Sequence, residues 1–410
     1  MRRIAWWLLL LFAFAIPWEY SLDLGEPLGN VARIAGLVLL LVAVPAVLQA
    51  GRLRTPGSLQ WLVLALFLWF CCTYFWTIDP STTQTMIRAY FQEMVIVWLV
   101  WELAESPYDL LALLRAFVAG SWVLALLTVA NFASSDAIAA GQIRFAAAGQ
   151  DPNDVARFLD LGLPLAALLL TSESHRRWRL LALGYLPLGL VAVLLTASRG
   201  GFLAALVALA GSEVLLIRRH PRRAIVGAFA LPAAAAALWF VLPHEIFERL
   251  ATIPEQLTAG DLNQRLNIWS AGWHALLEAP FFGAGAGCFV TAAGLDPMDT
   301  AHNTALSILV TGGMCAFFLA AGIVAAAVWA VARTRGPLQL ALGTTLAVWL
   351  VTSLVATVEE SRTTWLLLGL VALAGRLAME DPMLLAACFP AGASHGDLEL
   401  ADGMEGILVH

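Results

Sequence analysis

Lysine is absent from this chain. All 23 basic residues among its 410 are arginine, so the lysine that a P-loop brings to bound phosphates is missing. A genome rich in G and C explains most of that bias. Cysteine is scarce, with five residues. Cys71, Cys72 and Cys315 lie in apolar runs, and Cys288 stands alone in the one long polar insertion. Neither a disulfide framework nor a metal-ligand spacing emerges, and redox chemistry is not indicated. Charge is scarce as well. Only 13% of residues are charged and 60% are hydrophobic, against roughly 25% and 45–50% in soluble proteins. No soluble core could hide that excess, so the chain reads as an all-α polytopic membrane protein surrounded by lipid. The net charge of -6 says little, because placement of charge matters more than its sum. No nucleic-acid partner is expected.

What is present is a series of apolar runs, each near the roughly 20 residues a bilayer crossing needs. The sequence predicts about twelve crossings, at 4–18, 33–49, 60–76, 88–104, 109–132, 153–171, 179–197, 200–217, 223–242, 303–332, 337–357 and 361–378. The first contains Ala13-Phe14-Ala15, a sequence that signal peptidase accepts, but Pro17 and Trp18 favour an uncleaved span. Arg2 and Arg3, Arg52 and Arg54, Arg176 to Arg179, Arg218 to Arg223, and Arg333 and Arg335 fall in alternate connectors. The positive-inside rule makes those connectors cytoplasmic. Both termini are then inside and the insertion 243–303 is outside, in the periplasm of a bacterial inner membrane. Residues 1–378 form one transmembrane domain that includes this loop, and 379–410 form an acidic cytoplasmic tail expected to be poorly ordered.

A minority of arginines oppose that bias: Arg33, Arg88, Arg144, Arg157, Arg199, Arg249, Arg265 and Arg362. Snorkelling accounts for a single one, but a set on the outer side suggests an anion. Guanidinium grips phosphate in a bidentate way and keeps its charge. In Gln150-Asp151-Pro152-Asn153-Asp154, proline opens a helix with Asn153 or Asp154 available as cap. Arg157 and Asp160, three apart, are expected to pair. Ser198-Arg199-Gly200-Gly201 is a tight outward turn whose glycines allow close approach. In the last outward turn, Glu359 and Glu360 are placed to orient an arginine or histidine, or merely to solvate the loop.

Within the insertion, Asp261 or Asn263 is placed to cap a helix running to Glu278, with Leu266, Trp269, Trp273 and Leu276 as its packed stripe. Arg265 falls in the first turn, where the macrodipole disfavours a cation unless an anion binds there too. Pro280 ends the helix, and Gly283 to Gly287 form an apolar turn expected to be flexible. That turn follows a helix rather than a strand, so it is no nucleotide loop. His302 stands where the chain re-enters the membrane, at a helix start that favours its neutral, proton-accepting form. His274 reads as interfacial and His244 as structural.

These pieces together resemble the O-antigen ligase and polymerase family of membrane glycosyltransferases. The resemblance covers roughly 60–370 and is carried by Asp151-Pro152-Asn153, Ser198-Arg199-Gly200-Gly201, Arg265 with Ile268-Trp269, Pro280 with Gly283-Ala284-Gly285, and His302-Asn303. It implies transfer of a glycan from undecaprenyl diphosphate to an acceptor hydroxyl, without metal or cofactor. Arg199 and Arg265 would hold the diphosphate, helped by Arg88, Arg144 and Arg362, and His302 would activate the acceptor. Asn303, Asp151, Glu359 and Glu360 would position the acceptor or support the site. One large outer loop, with 133–152 much shorter, favours a ligase acting on lipid A–core oligosaccharide. An O-antigen polymerase or a protein O-oligosaccharyltransferase is the alternative within the family, and a flippase of lipid-linked saccharide the alternative outside it. A flippase would place ionisable groups at mid-membrane, often in inverted repeats; most charges here sit at span ends, and no such repeat is evident. On this reading the insertion covers a phosphate-binding vestibule made jointly with the span ends.

Overall fold

Inside lipid, a chain of apolar runs can satisfy its own backbone only as helix or closed barrel. The computed structural model describes residues 1–22, 24–25, 29–51, 53–134, 142–219, 239–240, 242–258, 260, 262 and 264–390. Among these there are helices and no strand. In chain order they are α1 Arg2–Ala15, α2 Val31–Ala50, α3 Ser58–Cys72, α4 Pro80–Leu103, α5 Pro107–Ala133, α6 Pro152–Ser172, α7 Arg176–Leu195 and α8 Arg199–Arg219. The second half contains α9 His244–Ala251, α10 Ile253–Thr258, α11 Arg265–Glu278, α12 Phe289–Ala293, α13 Thr304–Arg333, α14 Gly336–Ser353, α15 Arg362–Glu380 and α16 Pro382–Cys388.

Among the described residues, nine helices are long and apolar enough to cross a membrane: α1 with its 3-10 extension, α2, α3, α5, α6, α7, α8, α13 and α15. Helices α4 and α14 occupy two further expected crossings, made less apolar by Arg88, Glu93 and Glu102 in one and Gln339, Thr344 and Thr345 in the other. The expected crossing at 223–242 lies almost wholly outside the described residues. The chain is a multi-pass, all-α membrane protein.

Two spans form the centre. Every residue from Val155 to Leu169 in α6 and from Thr363 to Leu377 in α15 is buried, as expected of helices apolar on all sides. Helix α6 packs on α5, α7, α8 and α14, and α15 packs on α4, α5 and α13. Fixing these two helices fixes where Asp151 and Arg362 stand at their starts. The cap of α6 is Asp151 itself, whose Oδ1 accepts from the Asn153 N–H at 2.7 Å. Asn153, one of the two expected caps, is thereby left for another task. Beyond α15, Leu385 of α16 and Phe389 are buried in the main core, so the chain up to 390 folds onto the bundle. Residues 391–410 of the expected tail lie outside the described ones.

The glycine turn is not the flexible segment its composition suggests. Helix α13 breaks at Gly313, whose φ of 68° lies in the left-handed region. The turn after α11 supplies the partners this break removes. Ala284 N–H donates to Val310 O at 2.8 Å, and Gly285 N–H to Thr311 O at 3.0 Å. In return Met314 N–H donates to Pro280 O at 2.9 Å. The Trp69 indole closes the set by donating to Gly312 O at 2.7 Å. An unsatisfied backbone group in lipid costs several kcal/mol, so the turn is held to the break. Glycine is required at 283 because a Cβ there would lie 2.5 Å from the Thr311 backbone.

Candidate functional site

The turn between α7 and α8 gathers the site. Its carbonyls end α7, and the end of a helix attracts cations and donors. Phe145 N–H donates to Leu195 O at 2.8 Å, Arg144 Nε to Thr196 O at 3.1 Å, and Arg249 Nε to Ala197 O at 3.1 Å. Ala197 itself has φ of 48°, a strained value for a residue with a Cβ. Arg199 opens α8 and donates from Nε to the Arg249 carbonyl at 3.2 Å. Ser198 Oγ accepts from Gly201 N–H at 3.2 Å.

Asn153 ties α6 to this turn. Its Oδ1 accepts from Arg144 Nη2 at 2.8 Å and from Ser198 Oγ at 2.8 Å. One side chain therefore sets both the Arg144 fork and the start of α8, which the sequence alone did not reveal.

The outer loop brings the rest. Helix α9 seats Ile246, with Phe247 and Leu250, against Phe145, Leu195 and Ala197, which carries Arg249 to the turn. Arg265 is the first residue of α11, as expected, but the residue before it is Gln264 with φ of 63° and no side-chain cap. Asp261 and Asn263 lie outside the described residues. The packed face of α11 is Ile268, Gly272, Ala275 and Leu276, while Leu266 and Trp273 are exposed. Glycine at 272 sets this face by admitting Phe289 and Leu306. Trp269 Nε1 donates to Ala301 O at 3.1 Å, which fixes the chain beside His302. His302 has φ of 46°, and its Nδ1 lies 3.3 Å from Thr300 Oγ1. Asn303 caps α13 by accepting from Leu306 N–H at 2.9 Å. Ala197, Gln264 and His302 are three of the four non-glycine residues with positive φ among those described. Backbone strain is thus concentrated where the three segments converge.

The charges gathered here act on one another. Arg144 is held below its usual pKa by burial first and then by the charge of Arg249, with Arg199 and Arg265 adding to it. Arg249 is lowered by burial and by Arg199. Arg265 is lowered by burial and by Arg199, against the opposing pull of Asp151. His302 is lowered by burial and then by Arg265, again opposed by Asp151. The result is four half-buried guanidinium groups and a neutral imidazole, with Asp151 as a shared counter-charge. Each close pair of like charges costs on the order of 1 kcal/mol or more, so a polyanion bound among them would relieve the repulsion. Residues 184–321, from the middle of α7 into α13, match the family model described as O-antigen ligase. This segment is similar to the O-antigen ligase family. A search of curated proteins finds no match to the chain.

The matched segment contains Arg199, Arg249, Arg265 and His302, while Arg144, Asp151 and Asn153 join it from the preceding chain. Arg249 was the residue that sequence reading left out of the site. It was visible among the arginines opposing the charge bias, but its place in the arginine cluster depends on how α9 docks.

Other expected members lie elsewhere. Arg362 pairs with the buried Glu19 at the end of α1, in a second cluster that includes Glu93. Glu359 is buried near this pair and Glu360 is exposed. Their turn docks on α13 through Thr304, which donates to Ala356 O at 2.8 Å and accepts from Val358 N–H at 2.9 Å. It thus braces the start of α13 from behind. Arg88 is exposed on α4, and no hydrogen bond or ion pair ties it to the arginine cluster among the described residues. The expected Arg157–Asp160 pair does not form. Arg157 turns back one helical turn to Asp154, at 3.0 Å, and Asp160 is fully buried with neither carboxyl oxygen hydrogen-bonded among the described residues. His274 is exposed, with Nδ1 2.7 Å from Ser270 O.

Proposed function

We propose that this protein transfers an O-antigen glycan from undecaprenyl diphosphate to a hydroxyl of lipid A–core oligosaccharide, at the periplasmic face of a bacterial inner membrane. The observation that carries this reading is the convergence of Arg144, Arg199, Arg249 and Arg265 beside His302 at one end of the bundle. Arg199 and Arg265, with Arg144 beside them, bind the diphosphate and stabilise the charge that grows on it as the glycosyl bond breaks, a task that oriented cations perform without a metal. His302 accepts the acceptor hydroxyl proton as the new C–O bond forms. With Thr300 Oγ1 at Nδ1, Nε2 is the nitrogen that faces the acceptor. The electron pair of the old bond leaves on the diphosphate. The spans α6, α7, α8 and α13 end at this cluster, which suits a donor whose tail is a polyprenyl chain.

Complementation tests the acceptor class. The gene should restore long-chain lipopolysaccharide in ligase-deficient cells and not in polymerase-deficient ones. Rescue of only the polymerase-deficient host would replace the ligase reading by a polymerase one.

The pH dependence follows from the His302 environment. Its lowered pKa keeps it neutral, so transfer should persist at pH 6.5 and fall only as the pH drops through the lowered value. Asp151→Asn keeps a competent helix cap but removes the carboxylate that pulls the His302 pKa upward. The acid limb of kcat/KM should therefore move to still lower pH. A pH–rate profile showing the limb unmoved or shifted upward would contradict this assignment.

A further inference from the structure

We propose that Arg249 is a direct ligand of the donor diphosphate, delivered by α9 as the outer loop docks. This rests on the reading of the cluster as a diphosphate site. Unlike Arg199, which opens the span α8, Arg249 lies on a short helix that is not a membrane span. Helix α9 has one apolar face, and Ile246 is fully buried from it. That docking places Arg249 beside the turn that opens α8.

The bonds there are reciprocal. Arg249 Nε donates to Ala197 O, and Arg199 Nε donates to Arg249 O. Two guanidinium groups are thereby fixed through their Nε atoms, side by side and of like charge. This leaves the Nη atoms of Arg249 without a hydrogen bond among the described residues, beside the N-terminus of α8, whose N–H groups favour phosphate. If Arg249 served only to cap α7, an uncharged donor would serve as well, and nothing would offset its repulsion with Arg144 and Arg199. A diphosphate offers oxygens enough for more than one bidentate fork. His302, which takes the proton of the acceptor, stands at the start of α13 instead. Arg249 therefore acts on the donor.

The test uses full-length protein in detergent with inorganic pyrophosphate as probe, and glycan transfer as the second readout. Pyrophosphate should raise the Tm of the wild type, and Arg249→Ala should weaken that response and raise donor KM about tenfold or more, the loss expected for one charge-assisted hydrogen bond. Its kcat should change less. Arg249→Lys should recover part of both, because it returns the charge without the fork. An unchanged KM and pyrophosphate response in Arg249→Ala overturns the proposal. So does a lower Tm without pyrophosphate that Arg249→Lys fails to repair, since that marks a residue that only caps α7. A wild type that ignores pyrophosphate, with donor KM unaltered in Arg199→Ala, overturns the diphosphate site as a whole. A response lost in Arg199→Ala and retained in Arg249→Ala removes Arg249 from the donor ligands and leaves the diphosphate site standing.

Discussion

His302→Ala should reduce transfer by about 10²–10⁴-fold, the usual contribution of a positioned general base, with expression and detergent stability near those of the wild type. The fold should survive because the residue contributes little packing. His302 is half-buried, and α13 is capped by Asn303 rather than by it. The substitution does not relieve the φ of 46°, since alanine tolerates that region no better than histidine does. The strain is imposed by neighbours: Trp269 holds Ala301, and Asn303 holds the first turn of α13. A structure that maintains an unfavourable backbone at one imidazole is placing that imidazole. Transfer measured with purified protein and lipid-linked donor decides the matter. Full activity in His302→Ala would remove the base from this mechanism.

The second large effect is expected from the two arginines that the outer loop and α8 present. Arg199→Ala and Arg265→Ala should each raise donor KM by about 10–100-fold, as loss of a hydrogen bond to a charged group does. Each should also lower kcat, because charge on the leaving diphosphate is greatest in the transition state. The two losses should not add, since both groups face one ligand and each feels the other's charge. Donor binding measured on both single variants and the double variant tests this. Unchanged affinity in both singles would move the diphosphate site elsewhere on the protein.

Much of this site was legible in the sequence, and the exceptions have physical causes. Arg199 and Arg265 stand where glycines and a helix start mark them, and His302 sits at a boundary between polar and apolar chain. These are local signals. Arg157 shows the limit of local reasoning, because Asp154 and Asp160 are each three residues away along α6 and spacing cannot choose between them. Burial chose: Asp154 reaches the wet end of the helix, whereas Asp160 faces the core. Arg362 was grouped with the outward arginines, yet its partner Glu19 is more than three hundred residues earlier. The buried stripe of α11 was misplaced for a similar reason. Large side chains drew attention, while the contact is made at Gly272, where the absence of a side chain admits two others. The glycine turn after α11 looked loose because its partners, Val310 and Thr311, belong to a break in another helix.

That break has a mechanical consequence. Because 280–285 completes the backbone of α13 on both sides of Gly313, α11 cannot swing away without unmaking a span inside the bilayer. Arg265 and His302 are thereby tied to each other through α11 and the start of α13. Arg199 and Arg249 are held instead on α7, α8 and α9. A diphosphate bound among these arginines would act as a rivet between the two groups of helices.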